Sequence, residues 1–173
     1  RVAHFLDTKY TMAETQLDVR ALDKTEAYRA LRVQLDALCE GVTDEIALMS
    51  TMACVLQLGF GHLWTGFYRR VGAAKLIVGP FQGTIGCLEI EFGKGVCGTA
   101  AAHKETLIVP DVNAFPGHIA CDARSRSEIV VPVLDRGGEL IAVLDIDSER
   151  LAAFDEVDRR ELESWVRWFA KVT

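Results

Sequence analysis

"SEIVVPVLD" (residues 127–135) and "GELIAVLDIDS" (residues 138–148) decide the architecture of this chain. Each is rich in Val, Ile and Leu, and the Arg136–Gly137 step between them carries turn residues. The pair therefore reads as a hairpin of antiparallel strands. Working outward, "HLWTGFYRRV" (62–71) alternates, with Trp64, Gly66 and Tyr68 on one face and Thr65 and Phe67 on the other. "AKLIVGPF" (74–81) and "CLEIEF" (87–92) are the next two strands, and "TLIVPDV" (106–112) is a short one. "VCGTAAAHK" (96–104) is a short helix among them.

Longer helices flank this run. In residues 23–40, Tyr28, Leu31, Leu35 and Leu38 recur at helical spacing. Asp23 is the N-cap, with Glu26 in a capping-box position, and Gly41 ends the helix. Residues 43–58 form a second helix, with Thr43 as N-cap and Gly59 as its stop. Residues 155–172 close the chain as a helix capped by Asp155, with Asp158 nearby; its "WVRWF" segment packs in the core or in a possible homodimer. Helices, then five or six strands with a helix among them, then a helix predict an α+β fold. The expected architecture is a single domain, an antiparallel sheet of about six strands with helices packed on one face. It spans residues 23–173 and follows an N-terminal extension of residues 1–22.

Composition narrows the function classes. The chain has 173 residues, half of them hydrophobic and a quarter charged, with a net charge of −6. That is an ordinary globular balance. No basic cluster suggests nucleic acid, no apolar run approaches the roughly 18 residues of a membrane span, and "RVAHFLDTKY" lacks the apolar core of a signal peptide. The five cysteines, Cys39, Cys54, Cys87, Cys97 and Cys121, are odd in number and too sparse for a secreted disulfide framework. A cytoplasmic thiol protein is expected.

"GKGVCGTAAAHKE" (93–105) poses a choice between a phosphate cradle and a tuned thiol. It has neither the Gly-Lys-Ser/Thr of a P-loop nor the parallel strand–turn–helix setting of a dinucleotide site. Gly93 and Gly95 are explained by a tight turn. Cys97 sits where a helix begins, and helix-end amides favour a thiolate; equally, it is a small core residue. Cys87 opens a strand, where burial is the plain reading, and Cys39 and Cys54 lie in helices as core residues. Cys121 lies in an aperiodic loop, residues 110–127, beside His118, Asp122, Arg124 and Arg126. A loop of that length is usually functional or disordered, and nearby cations favour a thiolate. No C-x-x-C spacing occurs, so no metal site is expected.

Three acids interrupt apolar strands. Asp145 and Asp147 are two apart, on the strand face that Ile141 and Val143 precede; Glu128 opens the other hairpin strand. A carboxylate on an apolar face is costly unless it meets a cation or shares a proton. Neighbouring carboxylates push one pKa up and so leave a proton donor near neutrality. The plain alternative places these acids at a strand end, facing water. Trp64 and Tyr68 share a face with Gly66 between them, and that glycine leaves space for a ligand or backbone.

"WTGFY", "GPFQGTIGCLEIEFGKGVCGTA", "VPDVNAFPGHIACDARSRSEIVVPV" and "IAVLDIDS" together resemble the free methionine-(R)-sulfoxide reductases, which are single GAF domains. The resemblance runs from about the first helix to the closing helix. It implies that Cys121 attacks the sulfoxide sulfur and becomes a sulfenic acid. It implies that Cys87 resolves this as a Cys87–Cys121 disulfide and that Cys97 is an accessory thiol, in some proposals the nucleophile. It implies that Glu128, Asp145 and Asp147 hold the substrate amino group and polarise the sulfoxide, and that Trp64 and Tyr68 surround the terminal methyl. Selectivity for the R epimer, the absence of a bound cofactor and thioredoxin as electron donor are also implied.

Chemistry agrees with that reading. A sulfoxide oxygen leaves only when protonated, so a thiolate and an acid must act together. Glu128 is the first choice of acid, since it follows the Cys121 loop closely, and Asp147 the second. A ligand-sensing domain without catalysis, or a redox switch on the same cysteines, are the rival readings; only a reductase turns over.

Overall fold

The apolar alternation becomes one antiparallel sheet in the computed structural model, which describes residues 18–172. Chain order among the described residues is α1 (Lys24–Leu38), α2 (Glu45–Phe60), β1 (Trp64–Val71), β2 (Lys75–Gly83), β3 (Glu89–Glu91), α3 (Gly95–His103), β4 (Leu107–Val109), a 3-10 turn (Val112–Ala114), β5 (Ser127–Leu134), β6 (Leu140–Ser148) and α4 (Glu156–Val172). The six strands lie in the order β3-β2-β1-β6-β5-β4. β5 and β6 pair as the expected hairpin, and β6 joins β1, which is distant from it in sequence.

Alternation sends the sheet's two faces to two different cores. Phe67, Ile129, Val131, Val133, Ala142, Leu144 and Ile146 meet Leu31, Leu35, Met52, Leu56, Trp165 and Phe169 of α1, α2 and α4. Trp64, Tyr68, Val130 and Val143 point the other way, against Val96, Cys97, Ala100 and Ala101 of α3. Three helices thus pack on one face as expected, while α3 covers the opposite face. The short helix is apolar enough for this: Ala100 and Ala101 let it lie close to the sheet. Ile141 departs from the expected alternation. It packs toward the helical core, because the register shifts between Val133 and Leu134 and a bulge reverses the side-chain parity.

Helix ends refine the sequence reading. Asp23 accepts from the Glu26 amide at 2.8 Å, as a capping residue should. The cap of α2 is Asp44 rather than Thr43, accepting from the Ala47 amide at 2.8 Å. Its stop is Gly61, not Gly59: Gly61 has φ 63° and its N–H bonds the Gln57 carbonyl at 2.8 Å. Gly59 stays inside the helix because α1 presses on it; an added Cβ there would overlap the Leu31 side chain. At α4, Asp155 accepts from the Val157 amide (2.7 Å) and Asp158 accepts from the Asp155 amide (2.8 Å), a reciprocal cap. Lys24 and Tyr28 of α1 both bond Asp158, tying the first helix to the last.

Of the expected extension, residues 1–17 lie outside the described residues, and Val19 is buried against the helical core. In "WVRWF", Trp165, Val166 and Phe169 are buried in that core, and Trp168 lies under the Arg32 guanidinium at 4.8 Å. Among the described residues no helix is long and apolar enough to cross a membrane.

Candidate active site

Register builds the site. Trp64 of β1 faces Asp147 of β6, and Asp147 faces Glu128 of β5. One step along, Gly66 faces Asp145, and Asp145 faces Val130. Glu128, Asp145 and Asp147 therefore share the α3 side of the sheet, beside Trp64 and Tyr68. Glu128 and Asp145 are buried, at 6% and 5% exposure. The strand-end alternative, with the acids facing water, does not hold for these two.

α3 lowers Cys97 onto this row. Its Sγ lies 3.7 Å from Glu128 Oε1. Gly98, the next residue, sits against the turn before α3: an added Cβ would overlap the Glu91 carbonyl oxygen. Gly93 (φ 76°) and Gly95 (φ 59°) adopt left-handed backbone, which is the turn role expected of them.

Among the described residues, none of the three carboxylates has an ion-pair partner. The cost of placing them here is met by protonation instead. Burial, followed by the Asp145 and Asp147 charges, pushes Glu128 well above the usual carboxyl range. Burial and Asp147 do the same to Asp145. Asp147 is raised by burial to about 6, against the pull of a hydrogen bond from Ser125. That bond, Ser125 Oγ to Asp147 Oδ1, is 2.5 Å long.

Cys97 is likewise pushed up, by burial first and then by Asp145 and Glu128. Of the two readings of Cys97, the buried core residue holds and the helix-end thiolate does not. The start of α3 is buried beside three carboxyls, and desolvation outweighs the helix-end amides.

Cys87 and Cys121 form a disulfide, with Cα atoms 5.3 Å apart. Cys87 lies in the irregular stretch before β3 rather than at a strand's first position, and is half-buried. Cys121 is exposed. Of the cations flanking Cys121 in sequence, Arg124 is committed to Asp122 at 2.9 Å. Asp122 in turn is held well below the usual carboxylate range by Arg124. His118 lines the cavity and Arg126 does not.

Trp64 stacks on Tyr68 (5.4 Å between centroids) and on Phe81 (5.5 Å). Phe81 and the Trp64 ring occupy the space above Gly66, so that glycine admits side chains rather than a ligand. Gly86 also lies close to the site: a Cβ there would come within 2.8 Å of the Tyr68 hydroxyl. Burial and Asp145 hold that hydroxyl far above its ordinary pKa, so it stays protonated.

Trp64, Tyr68, Cys97, Cys121 and the three acids line one cavity, together with Ile85, His118 and Ile119, with a volume of about 30 Å³. That is room for a water or two, not for an amino acid. Three buried polar atoms of its lining residues, Asp145 Oδ1, Trp64 Nε1 and Thr84 Oγ1, have no hydrogen-bond partner. Cys97, Glu128 and Asp145 also bring one donor atom each within 4.8 Å of one another. The raised pKa values of these three groups favour bound protons over a cation, and no metal ligand is assigned among them.

Every residue expected at the site from the sequence reaches this cavity or the disulfide beside it. Ser125 and Gly86 were missed. Gly86 directly precedes Cys87, a signal that could have drawn notice. Ser125 lies in an aperiodic loop, and only the register of β6 brings it to Asp147.

The GAF domain family profile matches residues 34–171 of this chain. The free methionine-R-sulfoxide reductase of Saccharomyces cerevisiae is 41% identical over 157 residues, covering 87% of this chain and 87% of that protein. Its Escherichia coli namesake is 40% identical over 152 residues, covering 87% of this chain and 91% of that protein. The crystal structure of free methionine-R-sulfoxide reductase from Neisseria meningitidis, in complex with its substrate, superposes with a TM-score of 0.84 at 44% identity, covering 88% of this chain and 91% of that one.

Proposed function

This chain belongs to the GAF domain family, among the free methionine-R-sulfoxide reductases, and from that premise we propose that it reduces free L-methionine-(R)-sulfoxide to L-methionine. The observation that carries the reading is a disulfide, Cys87–Cys121, set beside three carboxyls, two of them buried, whose pKa values are raised. A sulfoxide reductase needs a redox-active thiol and a proton donor at one place.

In the reduced protein the Cys121 thiolate attacks the sulfoxide sulfur. Glu128, which holds its proton near neutral pH, delivers that proton to the sulfoxide oxygen; Asp147 is the second candidate. The sulfur–oxygen bond breaks, methionine departs as the thioether, and the oxygen remains on Cys121 as a sulfenic acid. The Cys87 thiol then attacks the Cys121 sulfur, water leaves, and the disulfide closes. Two electrons from a dithiol, thioredoxin in this reading, reopen it. Exposure of Cys121 gives an external thiol access. Cys97, buried and protonated, serves as an accessory thiol rather than the first nucleophile.

The substrate ammonium pairs with the acids, and the unpartnered Asp145 Oδ1 is the acceptor placed for it. The terminal methyl lies against Trp64 and Tyr68, and loop amides near Cys121 take the carboxylate. A peptide lacks those two charges and would be rejected. The small cavity of the disulfide form implies that substrate enters after reduction, when the Cys121 loop is free to move. Cys39, Cys54 and Cys97 remain as free thiols, in keeping with a cytoplasmic setting.

The test is thioredoxin-coupled NADPH oxidation with free methionine-(R)-sulfoxide, the free S epimer and a peptide sulfoxide, on the wild type and Cys121→Ser. Sustained turnover of the free R epimer alone, lost in Cys121→Ser, is expected. No turnover with any of the three would leave a sensor or redox switch as the better account.

A further inference from the structure

We propose that Ser125 is a positioning residue that ties the protonation of Asp147 to the position of the Cys121 loop. The inference rests on the functional reading above, and adds to it how the redox state of the loop reaches the acid cluster.

Ser125 is buried at 7% exposure and lies four residues after Cys121. Its hydroxyl donates to Asp147 Oδ1 at 2.5 Å. Two backbone bonds hold it there. The Ser125 amide donates to the Asp122 carbonyl at 3.1 Å, and the next amide, Arg126, donates to the Ser148 carbonyl at 2.8 Å. The first of these bonds is internal to the loop that carries Cys121. The second anchors the loop to the end of β6, where Asp147 lies.

The charged and titratable groups around Asp147 leave Ser125 a distinct role. Glu128 faces it from β5, Asp145 precedes it on β6, Cys97 comes from α3 and Asp122 from the loop. Lys94 and His118 line the same cavity without an ion pair to Asp147. Burial opposes the ionisation of Asp147, and the Asp122 charge adds to it. The hydroxyl of Ser125 favours the carboxylate, because it donates to it. Opening the disulfide frees the Cys121 side of the loop. A shift of Ser125 by about 1 Å would already lengthen a 2.5 Å bond beyond useful range. The carboxyl then takes up a proton at higher pH, at the stage when a sulfoxide oxygen requires one.

The test follows Asp147 directly, by carboxyl carbon-13 NMR titration of the oxidised and reduced protein in wild type, Ser125→Ala and Ser125→Thr. In the oxidised protein, Ser125→Ala is expected to raise the Asp147 midpoint by roughly one pH unit, the equivalent of one hydrogen bond to a charged group. Ser125→Thr, which keeps the hydroxyl, should restore it. Reduction should raise the wild-type midpoint in the same direction and leave that of Ser125→Ala unmoved. An Asp147 midpoint that is the same in oxidised wild type and oxidised Ser125→Ala would overturn the positioning role. A wild-type midpoint indifferent to reduction would overturn the link to the loop. The titration needs no turnover, so it still decides the matter if the wild type proves to have no reductase activity.

Discussion

Cys97 Sγ and Glu128 Oε1 lie 3.7 Å apart, with both residues buried, and neither side chain meets a cation among the described residues. A thiol and a carboxyl in that setting each keep their proton more firmly than in water. Glu128 is thus equipped to donate a proton, and Cys97 is poorly equipped to attack.

Glu128→Gln removes the proton donor while keeping shape and polarity. We expect kcat to fall by about 10²–10⁴, the usual worth of a positioned acid, with KM for free methionine sulfoxide changing much less. Steady-state kinetics check this. A loss of less than about tenfold would transfer the acid role to Asp147.

Thiol reactivity should rank Cys121 far above Cys97. In the reduced native protein, iodoacetamide should label Cys121 first. Cys97 should label at least about tenfold more slowly, since each unit of raised pKa cuts its thiolate tenfold and it is buried at 4% exposure. Timed alkylation with peptide mass mapping reads both sites. Comparable rates would return Cys97 to candidacy as nucleophile.

Asp147 makes stability depend on pH in a specified direction. Its carboxyl is raised in the fold to about 6 from an ordinary 3.8. The folded state therefore binds this proton more tightly, and the stability that Asp147 contributes is fully present below about 4 and lost as pH rises through about 6. The contribution is on the order of 2–3 kcal/mol. Glu128 and Asp145 act in the same sense. Asp147→Asn should flatten the profile between pH 4 and 7 and stabilise the protein at pH 7.5 by roughly 2 kcal/mol, while impairing reduction. Urea denaturation across that pH range measures it; a variant less stable than wild type at pH 7.5 would contradict it.

Gly98→Ala tests how Cys97 is placed. The new methyl would overlap the Glu91 carbonyl oxygen, so α3 must lift from the turn before it. Overpacking of this kind costs about 1–3 kcal/mol. Melting temperature and activity should both drop. Unchanged values would mean that α3 tolerates displacement over the acid row.

Local chemistry made much of this legible. The 3.6-residue spacing of Tyr28, Leu31, Leu35 and Leu38 and the cap at Asp23 specify α1 without reference to the rest of the chain. The two-residue spacing of Asp145 and Asp147 places both on one face, whatever that face contacts. Errors fell where a neighbour intervened. Gly59 looked like a helix stop, but its missing side chain makes room for Leu31. Ile141 was assigned to the acid face, but a bulge turns it to the helical core.

The sequence by itself therefore determined the elements, the caps at Asp23 and Asp155, the α+β class and the supply of thiols and acids, because hydrophobic period and backbone capping act within a few residues. Tertiary structure alone decided what those groups became. Strand register set Asp147 between Glu128 and Trp64, and the α3 crossing set Cys97 on the acids. Fold geometry also brought Ser125 from an irregular loop to Asp147. Proton affinity follows from those placements, since desolvation and charge–charge repulsion depend on distances across the fold and not along the chain.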